Sequence, residues 1–440
     1  MIPREKGFRD YLPEAMIPRE RLIDMAKRVY RSYGFSPIDT PALEYLEILT
    51  GKGSEETDRQ LYRFQDHGGR DVGLRFDLTV PLARFVAQHI GTLGTPFKRY
   101  HIATVWRGEN TQKGRYREFM QCDFDTIGTR SVAADIETAL VIQDLLCALG
   151  FERFTIRFNN RMVLNGLLEK FGLRDKSAAV LRALDKLGKI GAEKVSDELV
   201  AAAGTTPAQA ANVLQLAALS GSNDDILKQL ETLVAGSDLG QAGVARLGQI
   251  LAGVKAASPD SQRIKLDVSI ARGLDYYTGV VFETFLDDLP SIGSICSGGR
   301  YDNLAGLYTK QDLPGIGASL GLDRLLAAME ELGMVGKVRT PAEVFVAFFD
   351  ERRLNDYLRL AAQVRSAGLG VEVYPESRKL GQQLKYADQR GFRVALIAGD
   401  RELAAHVCQV KNLQTGESQE CELDHEAQAV IEAVRKIVVG

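Results

Sequence analysis

The chain has 440 residues, of which 45% are hydrophobic and 26% charged, and its formal net charge is −3. These values are typical of a globular protein with two or three domains and a sizeable core. No apolar run approaches the roughly 20 residues that span a bilayer, and the charged first residues lack the apolar segment of a signal peptide. We therefore expect a cytoplasmic protein without membrane association. The near-neutral charge gives no support of its own for nucleic-acid binding.

The cysteines and histidines show no metal-binding pattern. Five cysteines are scattered without a CxxC pair, and five histidines form neither an HxxxH nor an HExxH spacing. This argues against a disulfide framework and against a cysteine zinc site. We expect no structural metal.

The first elements predicted are a helix and an extended segment. Apolar side chains recur at helical spacing from Glu20 to Gly34, and Gly34 is a plausible stop. The following segment SPIDTPALEYLEIL is predicted to be extended, because Pro37 and Pro41 each disfavour helix at the preceding residue. By periodicity alone this unit is an amphipathic helix packed on a sheet.

A strand that turns into a helix is predicted next, from Asp71 to Val86. Asp77 and Thr79 lie where the strand ends, and side chains there often face a ligand. The alternative is that Thr79, two residues before Pro81, is only the N-terminal cap of the helix.

A hairpin with a polar loop is predicted between Phe97 and Gly128. A hairpin that presents cations from its loop and carboxylates from its strands can hold a polyanion beside an amine. A basic loop is more often a solvated surface, so other segments must decide. The polar residues of the hairpin are Arg107, Glu109, Gln112, Lys113, Arg115, Arg117, Gln121 and Asp125.

Residues 161–260 are rich in Ala and Leu, and their turns of Gly, Ser and Asp predict a run of helices. Strand patterns resume with RIKLDVSIARGLDYYTGVVFETFL, and CSGGRYDNL is interpreted as a glycine-rich turn. The segment from Gly315 to Gly333 is predicted to begin as a strand and to continue as a helix.

The last hundred residues are predicted to form a separate α/β domain, because strand and helix patterns alternate there after a linker. Lys379, Lys385, Arg390 and Arg393 surround its second predicted helix. Such charges are usually just solvated.

Several of these segments together resemble one family. The hairpin resembles motif 2 of the class II aminoacyl-tRNA synthetases, in the form found in the histidyl-tRNA synthetase family. RGLDYY (Arg272–Tyr277) resembles that family's histidine-specific signature, and SGGRYDNL (Ser297–Leu304) resembles a second signature. GIGASLGLDR, with Arg324, resembles motif 3. The resemblance covers almost the whole chain and is weakest in the helical region.

The resemblance implies a fold and a domain order. We expect an α+β catalytic domain with a mainly antiparallel sheet at 1–332, which includes an α-helical insertion at 161–260. A linker at 333–341 and a C-terminal α/β anticodon-binding domain at 342–440 would follow. The helix and extended segment near the N-terminus resemble motif 1, which implies a homodimer. The insertion is expected to contact the acceptor arm of the tRNA.

The resemblance also implies a reaction. Histidine would be activated with Mg-ATP to histidyl-adenylate and pyrophosphate, and the histidyl group would pass to the terminal adenosine of tRNA(His). The basic face of the C-terminal domain would meet the anticodon stem. Carried over position by position, the catalytic arginines are Arg107, Arg272 and Arg324; ATP would be bound by Arg107, Glu109, Arg115, Phe119 and Arg324; and the acceptor end of the tRNA would meet Gln112, Lys113 and Arg117.

Histidine binding is expected from residues of three segments. Asp125 and a tyrosine hydroxyl would read the two imidazole nitrogens, and the substrate's amino group would be collected nearby. Paired tyrosines are otherwise usually ordinary strand packing. Asp stands at positions 77 and 125 where many bacterial members carry Glu, which implies a shifted geometry. The expected residues are Asp77, Thr79, Arg107, Gln121, Asp125, Arg272, Tyr276 and Tyr277.

Two other functions remain open on the sequence. One is a synthetase-like regulatory subunit that binds histidine and controls a biosynthetic enzyme. The other is a nucleic-acid sensor with an inactive catalytic fold. Both are disfavoured because the arginines and the C-terminal domain are all present.

Overall fold

The structure is a computed structural model, and it describes residues 5–50, 55–184, 187–270, 276–336 and 338–439. The chain divides into two compact units. The larger comprises Met1–Arg9 and Leu22–Met334, and the smaller comprises Asp10–Arg21 and Val335–Gly440. Helix α1 (Pro13–Ser32) contributes residues to both. No helix in the described ranges is both long and apolar enough to cross a membrane.

The larger unit contains helices throughout its length. Its further helices are α2 (Leu46–Leu49), α3 (Glu55–Gln60), α4 (Thr79–Leu93), α5 (Val132–Ala148), α6 (Arg161–Lys170), α7 (Ser177–Leu184), α8 (Leu187–Ile190), α9 (Ala192–Ala201), α10 (Pro207–Ala217), α11 (Asn223–Leu233), α12 (Asp238–Ala257) and α13 (Leu322–Glu331).

The strands of the larger unit are short at the N-terminus and long in the middle of the chain. They are β1 (Ser36–Pro37), β2 (Leu43–Tyr45), β3 (Arg63–Gln65), β4 (Asp71–Leu74), β5 (Phe97–Trp106), β6 (Glu118–Ile127), β7 (Phe154–Asn160), β8 (Ile264–Leu266), β9 (Val280–Leu286), β10 (Cys296–Tyr301) and β11 (Gly315–Gly321).

An 8-stranded sheet organises this unit, in the order β1-β5-β6-β11-β10-β9-β7-β8. Its interior pairs are antiparallel, and only the two edge pairs β1/β5 and β7/β8 are parallel among the described strands. Strands β2, β4 and β3 form a separate small antiparallel sheet. The expected mainly antiparallel sheet is confirmed.

The two faces of the large sheet differ in character. On one face, Phe124 is fully buried against Tyr30 of α1, whose hydroxyl donates to the Cys122 carbonyl at 3.0 Å. Helix α5 packs on the same sheet. On the other face, polar residues alternate along β6. Because successive side chains of a strand point to opposite faces, the register alone separates an apolar face from a polar one.

The predicted glycine-rich turn is instead a strand in the interior of the sheet. Cys296–Tyr301 pairs with β9 on one side and β11 on the other. A Cβ atom on Gly298 would lie 2.2 Å from the Gly317 carbonyl oxygen. The adjacent glycines therefore serve close approach between strands, and not a turn.

The helical region at 161–260 was predicted correctly. Helix α12 packs on α6, and small residues allow the approach: a Cβ atom on Gly243 would lie 2.8 Å from the Val163 nitrogen. The Asp135 carboxylate of α5, fully buried, joins Arg246 of this region to Arg300 of β10.

The smaller unit is an α/β fold with helices on both faces of a sheet. Its 5-stranded sheet has the order β13-β12-β14-β15-β16. Beside its part of α1, its elements are β12 (Val344–Val346), α14 (Leu354–Ser366), β13 (Val371–Val373), α15 (Leu380–Arg390), β14 (Val394–Ile397), α16 (Asp400–Ala404), β15 (Val407–Asn412), β16 (Ser418–Glu422) and α17 (Gln428–Val439).

The two faces of this second sheet carry separate apolar clusters. Val344 and Val346 pack with residues of α14 and α17, whereas Phe345 between them packs with Ala387 of α15. Because this strand is buried on both faces, successive residues are all apolar, which explains the apolar run VFVAFF.

Candidate active site

The polar face of the large sheet carries three polar side chains of β6, two of which were expected in the site. Gln121, Asp123 and Asp125 alternate along this strand, so all three point to the same face. Asp125 lies opposite Arg99 of β5 on one side and Gly317 of β11 on the other. All three β6 side chains are at least nine-tenths buried.

Asp125 is held by two partners. The Oδ2 atom of Asp125 lies 2.6 Å from Nη2 of Arg99, which is completely buried, and its Oδ1 accepts a hydrogen bond from the Tyr301 hydroxyl. Burial raises the pKa of the Asp125 carboxyl, and the Arg99 charge opposes this rise. The carboxylate is therefore fixed in position at the base of the polar face.

Asp123 and Gln121 share a serine of the neighbouring strand. The Ser319 hydroxyl accepts a hydrogen bond from Gln121 Nε2 at 2.7 Å and also bonds the Asp123 carboxyl. Burial raises the pKa of Asp123 to about 7, with Arg99 lowering it and Asp125 raising it. Gln121 Oε1 and Asp123 Oδ1 have no hydrogen-bond partner among the described residues.

Asp77 caps the helix that follows it, so the cap is not Thr79. Its Oδ1 accepts from the backbone nitrogens of Thr79 at 3.2 Å and Val80 at 2.9 Å. A carboxylate at a helix N-terminus interacts favourably with the helix dipole. The Thr79 side chain instead forms a hydrogen bond with the Tyr276 phenol, which brings two predicted histidine-binding residues together.

Three tyrosine rings cluster on this face, and two of them pack over glycines. The rings of Tyr276 and Tyr277 lie 5.0 Å apart, and those of Tyr276 and Tyr301 lie 5.9 Å apart. Cβ atoms on Gly299 and Gly315 would lie 3.0 Å from the Tyr277 ring and 2.3 Å from the Tyr301 ring. These glycines make room for the aromatic side chains.

Arg107 lies at the end of β5 between two aromatic rings. Its guanidinium carbon is 4.3 Å from the Phe76 ring centre and 5.0 Å from that of Phe119, and its Nε donates to the Phe76 carbonyl at 3.0 Å. Burial lowers the pKa of Arg107, and the carboxylates of Asp77 and Glu109 oppose this shift. A planar guanidinium held against aromatic rings can bind anionic oxygens with its N–H groups, while a neighbouring ring can stack on a base.

The hairpin loop packs against the start of α13. A Cβ atom on Gly114 would lie 3.3 Å from the Cα of Arg324, whose Nη1 donates to the Ser294 carbonyl. In the loop, Nη1 of Arg115 is 3.8 Å from Oε2 of Glu109. The structure therefore brings the predicted ATP-binding arginines to one region of the larger unit.

The three residues predicted to meet the tRNA acceptor end differ in their surroundings. Gln112 and Lys113 are exposed, and Lys113 pairs with Glu331 of α13. Arg117 is half-buried: its Nη1 lies 3.4 Å from Oε1 of Glu5, and its Nε donates to the Glu109 carbonyl. Arg117 thus ties the N-terminal segment to the hairpin.

The basic residues of the smaller unit do not form a uniform face. Lys379, immediately before α15, and Lys385 within it are exposed, and Arg390 is half-buried. Arg393 donates to the carbonyls of Ile437 and Val438 at the end of α17. A cation at a helix C-terminus satisfies carbonyls that lack partners within the helix, so Arg393 has a structural explanation.

One predicted site residue lies outside the described residues, and several residues that contact the predicted site were not predicted themselves. Arg272 lies outside the described residues. Arg99, Phe76, Asp123, Ser319 and Tyr301 contact predicted site residues, yet the sequence reasoning gave them no role. The alternation of QCDFD could have identified Asp123.

Asp323, immediately before Arg324, was also missed. It is buried, accepts from the Met120 nitrogen at 2.8 Å and pairs with Arg9 at 2.6 Å. It thereby joins the start of α13 to β6. Within the described ranges, no group of three or more His, Cys, Asp or Glu side chains could hold a metal ion.

A mainly antiparallel sheet with a long hairpin, an arginine at the hairpin shoulder and a second arginine at the start of a helix defines a class II aminoacyl-tRNA synthetase fold. Residues 7–325 match the family model described as histidyl-tRNA synthetase, and residues 343–433 match an anticodon binding domain. The chain belongs to the histidyl-tRNA synthetase family.

Similar proteins cover the full length. A histidine–tRNA ligase from Rhodopirellula baltica is 65% identical, covering 98% of both chains, and one from Wolinella succinogenes is 46% identical, covering 99% of this chain and 97% of its own. The crystal structure of a histidyl-tRNA synthetase from Nostoc sp. PCC 7120 has a TM-score of 0.89 at 36% identity, with 99% of both chains covered.

Proposed function

We propose that the protein is a histidine–tRNA ligase. It activates histidine with ATP to histidyl-adenylate and pyrophosphate, and then transfers the histidyl group to the 3′-terminal adenosine of tRNA(His). The observation that carries this proposal is the arrangement of the carboxylates on the polar face beside Arg107. Asp77 and Asp125 supply acceptors for an amine and an imidazole, while Arg107 supplies a cation for the reacting anions.

The ATP side of the site is assigned to the hairpin and α13. Arg107 would hold the α-phosphate and the histidine carboxylate, which are the two groups that must react. Its position between the rings of Phe76 and Phe119 supports adenine stacking on Phe119, with Glu109 accepting from the adenine amino group. Arg115 and Arg324 would hold the outer phosphates of Mg-ATP, since arginine forks bind phosphate oxygens bidentately.

The histidine side is assigned to the carboxylate face. Asp125, fixed by Arg99 and Tyr301, would accept from an imidazole N–H. A phenol of Tyr276 or Tyr277 would meet the other imidazole nitrogen, while Asp77, Thr79 and Gln121 collect the amino group. The hydrogen bond between Thr79 and Tyr276 supports one continuous site.

The chemical step requires a carboxylate oxygen to attack the α-phosphorus as pyrophosphate leaves. Two anions must approach, so fixed cations aimed at the phosphate stabilise the transition state. Arg107 would serve from one side. Arg272 is proposed to serve from the opposite side, on the strength of the RGLDYY resemblance alone.

The remaining assignments concern tRNA and assembly. Gln112, Lys113 and Arg117 are proposed to meet the acceptor end of the tRNA, and the domain at 342–440 the anticodon stem, with 333–341 as linker. Of the three, exposed Gln112 and Lys113 are better supported than Arg117 by their surroundings. We further propose a homodimer that acts in the cytoplasm on L-histidine, ATP and tRNA(His), without a structural metal and without membrane association.

The direct test is pyrophosphate exchange into ATP, run separately with each of the twenty amino acids. Exchange with histidine alone, followed by charging of tRNA(His), is the expected result. A folded protein that binds histidine and shows no exchange would favour the regulatory subunit. The full-length similarity to histidine–tRNA ligases supports the enzyme.

A further inference from the structure

Arg99 lies on β5 directly opposite Asp125, and it contacts both halves of the assigned histidine site. Its side chain is completely buried. Nη2 lies 2.6 Å from Oδ2 of Asp125 and 3.3 Å from the Leu78 carbonyl oxygen, to which it donates. Leu78 is the residue between Asp77 and Thr79. One nitrogen atom thus joins the strand that carries the imidazole-reading carboxylate to the segment assigned to the amino group.

The charge of Arg99 acts on three carboxyls. It lowers the pKa values of Asp77, Asp123 and Asp125, each of which burial raises. Arg99 Nε and Nη1 have no hydrogen-bond partner among the described residues. Burying a guanidinium with incomplete hydrogen bonding costs stability, and a well-packed apolar side chain would often serve the fold as well. A role in the site explains why this position holds a charge.

We propose that Arg99 is a positioning residue for histidine recognition, which fixes the Asp125 carboxylate and the Leu78 carbonyl at a set spacing from a buried position beside them. Arg99 itself does not touch the substrate, because the side chain is covered completely. The inference rests on the proposed function and deepens it. It adds a residue to which the family resemblance gave no role.

The principal variant is Arg99→Met, which approximates the aliphatic part of the side chain and removes the charge. Asp125 would then turn or take up a proton and would no longer accept from the imidazole at its native position. We expect the KM for histidine in pyrophosphate exchange to rise roughly 10- to 100-fold, by analogy with the loss that follows when a residue that orients a metal ligand is removed. The KM for ATP should change by less than about threefold.

A conservative variant separates charge from geometry. Arg99→Lys keeps the positive charge, but a single ammonium group lacks the planar fork and reaches two acceptors less well. We expect the KM for histidine to rise less in Arg99→Lys than in Arg99→Met. A residue needed only for packing would give no such difference, because Met fills the volume as well as Lys does.

Misfolding is controlled in two ways. The double variant R99M/D125N removes both members of the buried pair, so it should regain melting temperature relative to Arg99→Met while its histidine KM stays high. Arg84→Met breaks another buried ion pair of the same unit, between Nη2 of Arg84 and Oε1 of Glu44 at 2.7 Å. It should lower stability and leave the ratio of the two KM values unchanged.

The outcomes are distinct. Equal rises in the KM values for histidine and ATP in Arg99→Met, or a histidine KM within threefold of wild type, would overturn the role of Arg99 while leaving the ligase assignment intact. If the wild-type protein shows no exchange with histidine, the ligase assignment fails instead. In that case, calorimetric titration of L-histidine into wild type and Arg99→Met tests the role of Arg99. Loss of histidine binding in Arg99→Met alone supports this role, and equal binding in both proteins, or no binding in either, overturns it.

Discussion

Gly317 is the position at which a single methyl group should damage the proposed histidine site most directly. A Cβ atom there would lie 2.2 Å from Oδ1 of Asp125 and 2.2 Å from the Phe124 carbonyl oxygen, whereas ordinary contact begins at 3.4 Å. The backbone cannot yield without breaking the pairing of Gly317 with Asp125. In Gly317→Ala, relieving the contact with Oδ1 requires the carboxylate to shift by about the difference, 1.2 Å, and relieving the contact with the backbone oxygen requires the two strands to separate locally.

The expected cost has two parts. Overpacking of this kind lowers the free energy of unfolding by about 1–3 kcal/mol. A catalytic or binding group misplaced by about 1 Å can lose roughly 100-fold in rate, so we expect a loss of that order in kcat/KM for histidine. Equilibrium denaturation measures the first part, and pyrophosphate exchange at varied histidine concentration measures the second.

Gly321→Ala is the matched control, because it lies in the same strand and its added Cβ would meet only the Arg324 Cβ, at 3.9 Å. It should leave both quantities near wild type. If Gly317→Ala keeps wild-type kcat/KM for histidine, or if the two variants lose equally, the steric account of this glycine is wrong.

Four further predictions concern named side chains. Asp125→Asn should raise the KM for histidine far more than that for ATP, and equal losses would count against its reading of imidazole. Asp123, whose pKa of about 7 exceeds the ordinary value of 3.8, binds its proton more tightly in the folded state. Its contribution to stability is complete below about pH 4 and is lost as the pH rises through 7, by at most about 4 kcal/mol. Asp123→Asn should remove this contribution to the pH dependence of the free energy of unfolding, measured by denaturation at a series of pH values. An unchanged pH dependence would refute the raised pKa of Asp123. Arg272→Ala should abolish adenylate formation with the fold intact by circular dichroism; near-normal activation would exclude the proposed role. Replacing exposed Lys379 and Lys385 with Gln should weaken tRNA binding in a filter assay and leave pyrophosphate exchange unchanged, whereas unchanged tRNA affinity would show that these charges are merely solvated.

The hairpin and the strand–helix junctions could be predicted from sequence because local patterns determine them. The alternation in MQCDFD places Gln121 and Asp125 on one face whatever the partners are. The strand from Gly315 and the helix that follows it were predicted with their order correct. In each case the signal lies within about ten residues.

Features that depend on pairing partners could not be predicted. Arg99 reads as an exposed basic residue at the start of a strand, and only its register opposite Asp125 shows that it is buried. The adjacent glycines of β10 read as a turn, because the aromatic rings and strands that need the space come from elsewhere in the chain. Strand β16 is polar and almost wholly exposed, so no apolar pattern in the sequence predicts it.

Helix α1 shows a third kind of difference. It was predicted from Glu20 and begins at Pro13, with Pro18 inside it. Pro13 occupies the first helical position, where proline is well tolerated because the nitrogens there lack helical partners in any case, whereas Pro18 lies in the second turn. Apolar residues at helical spacing indicated the helix only from Glu20, and it extends further toward the N-terminus than predicted.

The register of β6 links folding to function in this sheet. Shifting the strand by one residue would turn Gln121, Asp123 and Asp125 toward Tyr30 and the helices, and would bring Phe124 to the polar face. Such a slip would bury three carboxyl and amide groups away from Arg99 and Ser319, at several kcal/mol for each unpaired charge. The polar site is costly to bury, but the same cost excludes the wrong register. The side chains assigned to histidine binding therefore also help to specify the pairing that positions them.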